Sequence, residues 1–119
     1  AFPAGELPTE VELRVATADG SLGTRGDVSA LLEAAVPWAD RIAAVGSHVL
    51  YRGLQATLQR LRPTWAHENA QVLISNVPII CGVGACRACT LHGPHGVASV
   101  CQDGPVFPLD DAVALEAIL

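Results

Sequence analysis

Apolar and polar residues first alternate at Val11, Leu13 and Val15, with Glu12 and Arg14 between them, the period-two pattern of a half-buried strand. Ala18-Asp19-Gly20-Ser21 interrupts it with turn residues. Asp27 is placed to cap a helix on which Val28, Leu31, Leu32 and Val36 recur at helical spacing until Pro37. Ile42-Ala43-Ala44-Val45 is a short apolar run ending at Gly46, as in a buried parallel strand. Ser47 then caps a second predicted helix, with Leu50, Leu54, Leu58 and Leu61 on one face and Pro63 as its stop. A third strand is expected from Ala70 to Ser75, and beyond Pro78 the regularity is lost. Val97 to Cys101 reads as a further strand, and Asp110 or Asp111 as the cap of a terminal helix carrying Val113, Leu115 and Ile118.

The fold class expected from this order is α/β: a partial Rossmann-like parallel βαβαβ unit followed by a small irregular domain. The expected division is an opening loop or linker over residues 1–10, the Rossmann-like unit over 11–77, and the irregular domain over 78–119. Rossmann-type sheets usually carry five or six strands with helices on both faces. Three strands and two helices should therefore leave an edge or an apolar face for a partner, or for a further N-terminal region, to cover.

Composition narrows the function. Half of the 119 residues are apolar and 16% are charged, which excludes a disordered chain. No apolar run approaches the roughly 18–20 residues of a membrane span. Ala1-Phe2-Pro3-Ala4-Gly5 has neither the basic nor the apolar region of a secretory signal, so a cytoplasmic protein is expected. The net charge is −5, and the seven basic residues, all arginine, are scattered and make no stripe to meet a phosphate backbone. Nucleic acid is therefore not an expected partner.

The cysteines carry the chemistry. All four lie between Cys81 and Cys101, in the spacing C-x4-C-x2-C-x11-C: Cys81, Cys86, Cys89 and Cys101. Plant-type [2Fe–2S] ferredoxins open with the same C-x4-C-x2-C run and add one distant cysteine. Two irons need two thiolates each, so one loop supplies three ligands and a separate segment the fourth. Gly82 and Gly84 suit such a loop, because glycine permits left-handed backbone and close approach. Three other readings stay open: a structural zinc site, although only Cys86 and Cys89 form a C-x2-C knuckle; buried free thiols; and a pair of disulfides. His92 and His95 flank Pro94 and read as turn residues, because four cysteines already complete a ligand set. Trp38 and Trp65 are expected to pack against the sheet.

Cys81-Gly-Val-Gly-Ala-Cys86-Arg-Ala-Cys89 together with Cys101-Gln-Asp-Gly-Pro-Val-Phe107 resembles the C-terminal cluster domain of the electron-transfer subunit of type B dihydroorotate dehydrogenase, in the ferredoxin–NADP reductase-like family. Upstream, Val15-Ala-Thr-Ala-Asp-Gly-Ser-Leu-Gly23 looks like the V-A-T-D-D-G-S-x-G segment of that family's nucleotide domain, and Ala44-Val-Gly-Ser47 lies where the family carries a C-G-P turn. The resemblance implies an electron-transfer subunit, itself non-catalytic, that relays electrons through one [2Fe–2S] cluster on Cys81, Cys86, Cys89 and Cys101. It implies a flavin- or other redox-centre-bearing protein subunit as partner, in a hetero-oligomer. Asp19, Gly20 and Ser21 would then be remnants of nucleotide contacts, although a plain turn explains them too. The family's flavin barrel and glycine-rich phosphate turn have no counterpart here, so this chain alone is expected to hold neither FAD nor NAD. The alternative is a zinc-binding interaction module with a vestigial nucleotide domain.

Overall fold

The computed structural model describes residues 4–65 and 67–117, which fall into two compact units divided after Ala35. In the first unit, β1 (Ala16–Thr17) pairs in parallel with β2 (Thr24–Arg25). The loop between them is closed on itself: Thr17 Oγ1 donates to the Leu22 carbonyl at 2.9 Å and accepts from the Leu22 amide at 3.3 Å. Gly23 is required, because at its φ of +68° a Cβ would lie 2.0 Å from the Val15 carbonyl oxygen. Helix α1 (Ser29–Ala35) follows, and Asp27 does hold its start, accepting the Ser29 amide at 2.9 Å. The strand expected over Val11–Val15 does not form. Val11 and Leu13 stay 50% and 41% exposed, and pairing begins only at Ala16. Alternation alone cannot make a strand where no neighbour satisfies its backbone groups.

The second unit is built on β3 (Ile42–Val45), α2 (His48–Leu61) and β4 (Ala70–Leu73). The strands are parallel, with Ile42 opposite Ala70 and Val45 opposite Leu73. Ser47 caps α2 as expected, its Oγ accepting the Leu50 amide at 3.4 Å. The buried face is Tyr51, Leu54 and Leu58; Leu50 and Leu61 sit at its half-buried margins. The helix ends where the Arg62 amide reaches the Leu58 carbonyl, just before Pro63.

The chain returns to this sheet from the far side of the cysteines. Strand β7 (Val106–Pro108) pairs antiparallel with β4, giving the order β3-β4-β7, and α4 (Leu109–Ala114) packs its buried Leu109 and Ala112 on the same side as α2. Gln55 on α2 donates to Asp110 Oδ1 at 2.6 Å. The β–α–β parallel core is thus present, but its third strand is this antiparallel one, while β1 pairs within the first unit. Ala70, Val72 and Phe107 face the helices and are buried; Val45, Leu73 and Val106 line the opposite face and are exposed.

Between β4 and β7 stands a hairpin of β5 (Thr90–Gly93) and β6 (Gly96–Ser99), joined by Pro94-His95. A two-residue strand, β8 (Glu116–Ala117), pairs with β5. The strand expected to run to Cys101 stops at Ser99, because Val100–Asp103 form a helical turn, α3. The terminal helix is shorter than expected: it ends at Ala114, Leu115 is extended, and Ile118 lies outside the described residues. Asp110 and Asp111 lie in the first turn of α4 and do not cap it; Pro108 occupies the cap. Trp38 does not pack on the sheet and is 67% exposed. Trp65 is half-buried, with the Arg62 guanidinium 4.9 Å above its ring. Among the described residues no helix is long and apolar enough to cross a membrane.

Candidate metal centre

From Pro78 to Cys89 the chain has no regular structure, and its course is set by left-handed residues. Gly82 and Gly84 have φ of +71° and +76°, and Arg87 adopts +58° despite its side chain. This curl turns backbone amides toward sulfur. The Val83 and Cys86 amides point at Cys81 Sγ at 3.4 and 3.5 Å, and the Ala88 amide at Cys86 Sγ at 3.5 Å. Amides aimed at one point create a concave site for negative charge.

The fourth cysteine arrives on α3. The Val100 amide donates to the Cys89 carbonyl at 3.1 Å, and the Cys101 amide points at Cys89 Sγ at 3.4 Å, so the end of the hairpin and the start of α3 are stitched together. Asp103 reaches back to accept the Ser99 amide at 2.6 Å. Gly104 leaves room for the Phe107 ring, whose Cε2 would lie 2.3 Å from a Cβ there. The tail Cys101–Phe107 thus fastens the fourth thiol to β4 through β7.

Amide–sulfur hydrogen bonds thus link Cys86 to Cys81 and Cys101 to Cys89, and none of the four is in a disulfide. Hydrogen bonds lower the Cys81 thiol from 9.0 to about 6, the Cys86 amide contributing most and the Val83 amide next. Cys101 is raised, first by burial, then by its hydrogen bond with Cys89 and the nearby charges of Cys89 and Cys81. Cys89 is buried, Cys86 exposed, and the other two half-buried. Among the described residues no three histidine, cysteine or acidic side chains gather about one point as a single ion would need. Amides directed at three of the sulfurs suit a group that carries negative charge.

The structure places the predicted ligands Cys81, Cys86 and Cys89 on this loop and Cys101 on α3, with amide–sulfur hydrogen bonds from Cys86 to Cys81 and from Cys101 to Cys89. Asp19, Gly20 and Ser21 form the β1–β2 turn of the first unit, where Asp19 Oδ1 accepts the Ser21 amide at 3.0 Å. That amide, and then the Ser21 hydroxyl, hold the Asp19 carboxyl below its usual value. His92 and His95 lie toward the hairpin tip, since Thr90 pairs with Ser99 at the cysteine end and Gly93 with Gly96 at the other. Three features of the site had no signal in the sequence: the left-handed Arg87, the back-bond of Asp103, and the Gln102 side chain, whose Nε2 donates to the Val83 carbonyl at 3.1 Å.

Comparison with known proteins locates the same segment. Residues 77–113 match the family described as the iron–sulfur cluster binding domain of dihydroorotate dehydrogenase B. Over 105 residues the chain is 32% identical to the dihydroorotate dehydrogenase B (NAD(+)) electron transfer subunit of Bacillus mycoides, covering 83% of this chain and 37% of that protein. The subunit of the same name from Bacillus cereus matches to the same extent. The chain thus spans little more than a third of the length of these relatives. Among solved structures, that of an NADH-dependent reduced ferredoxin–NADP oxidoreductase, described for flavin-based electron bifurcation, superposes with a TM-score of 0.59 at 20% identity. The superposition covers 82% of this chain and 33% of the other, and shows a shared fold. Residues 77–113 are thus similar to the iron–sulfur cluster binding domain of dihydroorotate dehydrogenase B, in a chain that over most of its length is similar to the electron transfer subunit of that enzyme.

Proposed function

We propose that the chain is an electron-transfer subunit holding one [2Fe–2S] cluster on Cys81, Cys86, Cys89 and Cys101, with Cys81 and Cys86 on one iron and Cys89 and Cys101 on the other. The observation that carries this reading is the set of amides directed at Cys81, Cys86 and Cys89, which link Cys86 to Cys81 and Cys101 to Cys89. Such a group supplies one-electron exchange without proton transfer. The residues around it bind and orient it. The left-handed backbone at Gly82, Gly84 and Arg87 aims the amides, which stabilise negative charge on sulfur and so raise the reduction potential.

The partner is a protein subunit bearing a flavin or another redox centre, in a larger oxidoreductase complex of the dihydroorotate dehydrogenase kind. Ile79, Ile80 and Val83 are 50%, 75% and 65% exposed beside the ligands, and Cys86 itself reaches the surface. Apolar exposure of this kind beside a redox ligand suits a contact through which electrons pass. The start of the matched domain at residue 77 supports a boundary between a nucleotide-domain-like part (11–77) and a cluster-binding part (78–119), with residues 1–10 proposed as a linker. Asp19, Gly20 and Ser21 are a remnant of a nucleotide-contacting turn. Four free cysteines favour a reducing compartment, which supports the cytoplasm as the proposed location.

Anaerobic reconstitution with iron and sulfide tests the assignment. About two irons and two sulfides per chain are expected, with visible absorption that bleaches on one-electron reduction. Colourless protein that binds one zinc ion instead would establish the interaction-module reading.

A further inference from the structure

The three cysteines of the loop and the fourth on α3 lie on segments that must stay closed on one another, and a backbone-to-backbone hydrogen bond stitches one side of the gap. There, the Val100 amide bonds the Cys89 carbonyl, next to the third ligand. The opposite side of the loop, around Val83 and Gly84, has no strand or helix of its own. One side chain crosses to it. Gln102, next to the fourth ligand, donates from Nε2 to the Val83 carbonyl at 3.1 Å, and its stem packs on Gly84 so closely that a Cβ there would lie 2.9 Å from Gln102 Cγ and 3.0 Å from Cδ. The turn carrying Gln102 is itself fixed, by Asp103 on the Ser99 amide and by the Gly104 amide on the Val100 carbonyl at 3.2 Å.

We propose that Gln102 is a positioning residue that latches the first half of the cysteine loop to the helical turn bearing Cys101, and so governs how readily the metal centre opens and is lost. The inference rests on the assignment of a cluster to these four cysteines. The latch holds the segment between Cys81 and Cys86 against α3, while the Val100–Cys89 bond holds the segment at Cys89. The Gly84 backbone also reaches the Cys101 sulfur, so on this side Gln102 reinforces a contact made by the loop itself. The close approach at Gly84 serves the same contact: at a φ of +76°, glycine both permits the curl and leaves space for the glutamine stem.

The test compares the reconstituted full chain with Gln102→Ala, which removes stem and donor, and Gln102→Glu, which keeps the stem and removes the donor. Release of iron to an excess of ferrous chelator is followed by loss of the visible absorption. Both variants should load to the parental iron content yet release it about fivefold faster, the effect of one net hydrogen bond. Thermal unfolding of the metal-free proteins should be unchanged, which separates a latch on the centre from a general role in folding. Release at the parental rate from both variants would overturn the proposal, as would an equal loss of stability in the metal-free state. A parent chain that takes up no iron would instead overturn the cluster assignment, and this latch with it.

Discussion

Thr90 buries its hydroxyl beside the third cysteine without a hydrogen-bond partner for Oγ1. An unsatisfied buried hydroxyl costs free energy that a methyl group of the same shape does not. Thr90→Val is therefore expected to stabilise the protein by about 1 kcal/mol, read as a higher urea midpoint with an unchanged denaturant slope. At this scale the candidate ligands were legible, since four cysteines in a plant-type spacing point to iron–sulfur chemistry ahead of zinc. What surrounds them was not. Nothing in the letters around Arg87 signals positive φ, and Gln102 and Asp103 act through contacts that exist only once α3 is formed.

Among the elements, α2 ties the two parallel strands together. The Tyr51 hydroxyl accepts the Gly46 amide at 3.0 Å, at the end of β3, and donates to the Leu73 carbonyl at 2.7 Å, at the end of β4. Tyr51 is 3% exposed, so Tyr51→Phe strands both backbone groups. A loss of about 1–3 kcal/mol is expected in equilibrium unfolding. A loss below a few tenths would show that water replaces the hydroxyl. This core was readable in advance: Ser47 as cap, the leucine stripe, and the apolar runs at Ile42 and Ala70 are local signals, each contained within a few residues. The tyrosine was missed because a leucine count passes over it. Strand β7 was missed for a deeper reason. Val106–Pro108 is too short to have a period, and its antiparallel place beside β4 depends on residues more than thirty positions away. The opposite error occurred at Val11–Val15, where a good period found no partner strand.

Over the whole molecule, the consequence of so small a sheet is a bare side. Val45, Leu73 and Val106 are 57%, 38% and 50% exposed on the face away from α2 and α4, with Gln71 as the polar residue among them on β4. Sheets with parallel strands are normally covered on both faces, as the sequence led us to expect of a unit with so few strands. The folded chain by itself is accordingly expected to bind a fluorescent apolar dye. Val45→Lys, on the edge strand, should weaken that signal while leaving iron uptake intact. Dye binding that is absent, or indifferent to the substitution, would show the face to be shielded in solution.

The tail from Cys101 to Phe107 has a mechanical meaning. Cys101 and the middle strand of the sheet are separated by one short, well-anchored length of backbone, with the Ile74 amide bonded to the Pro105 carbonyl at 3.0 Å beside the β4–β7 pairing. On the proposed assignment, emptying the cluster would slacken that tether, so the exchange of β4 amides with solvent becomes a gauge of whether the sulfurs some distance away are occupied.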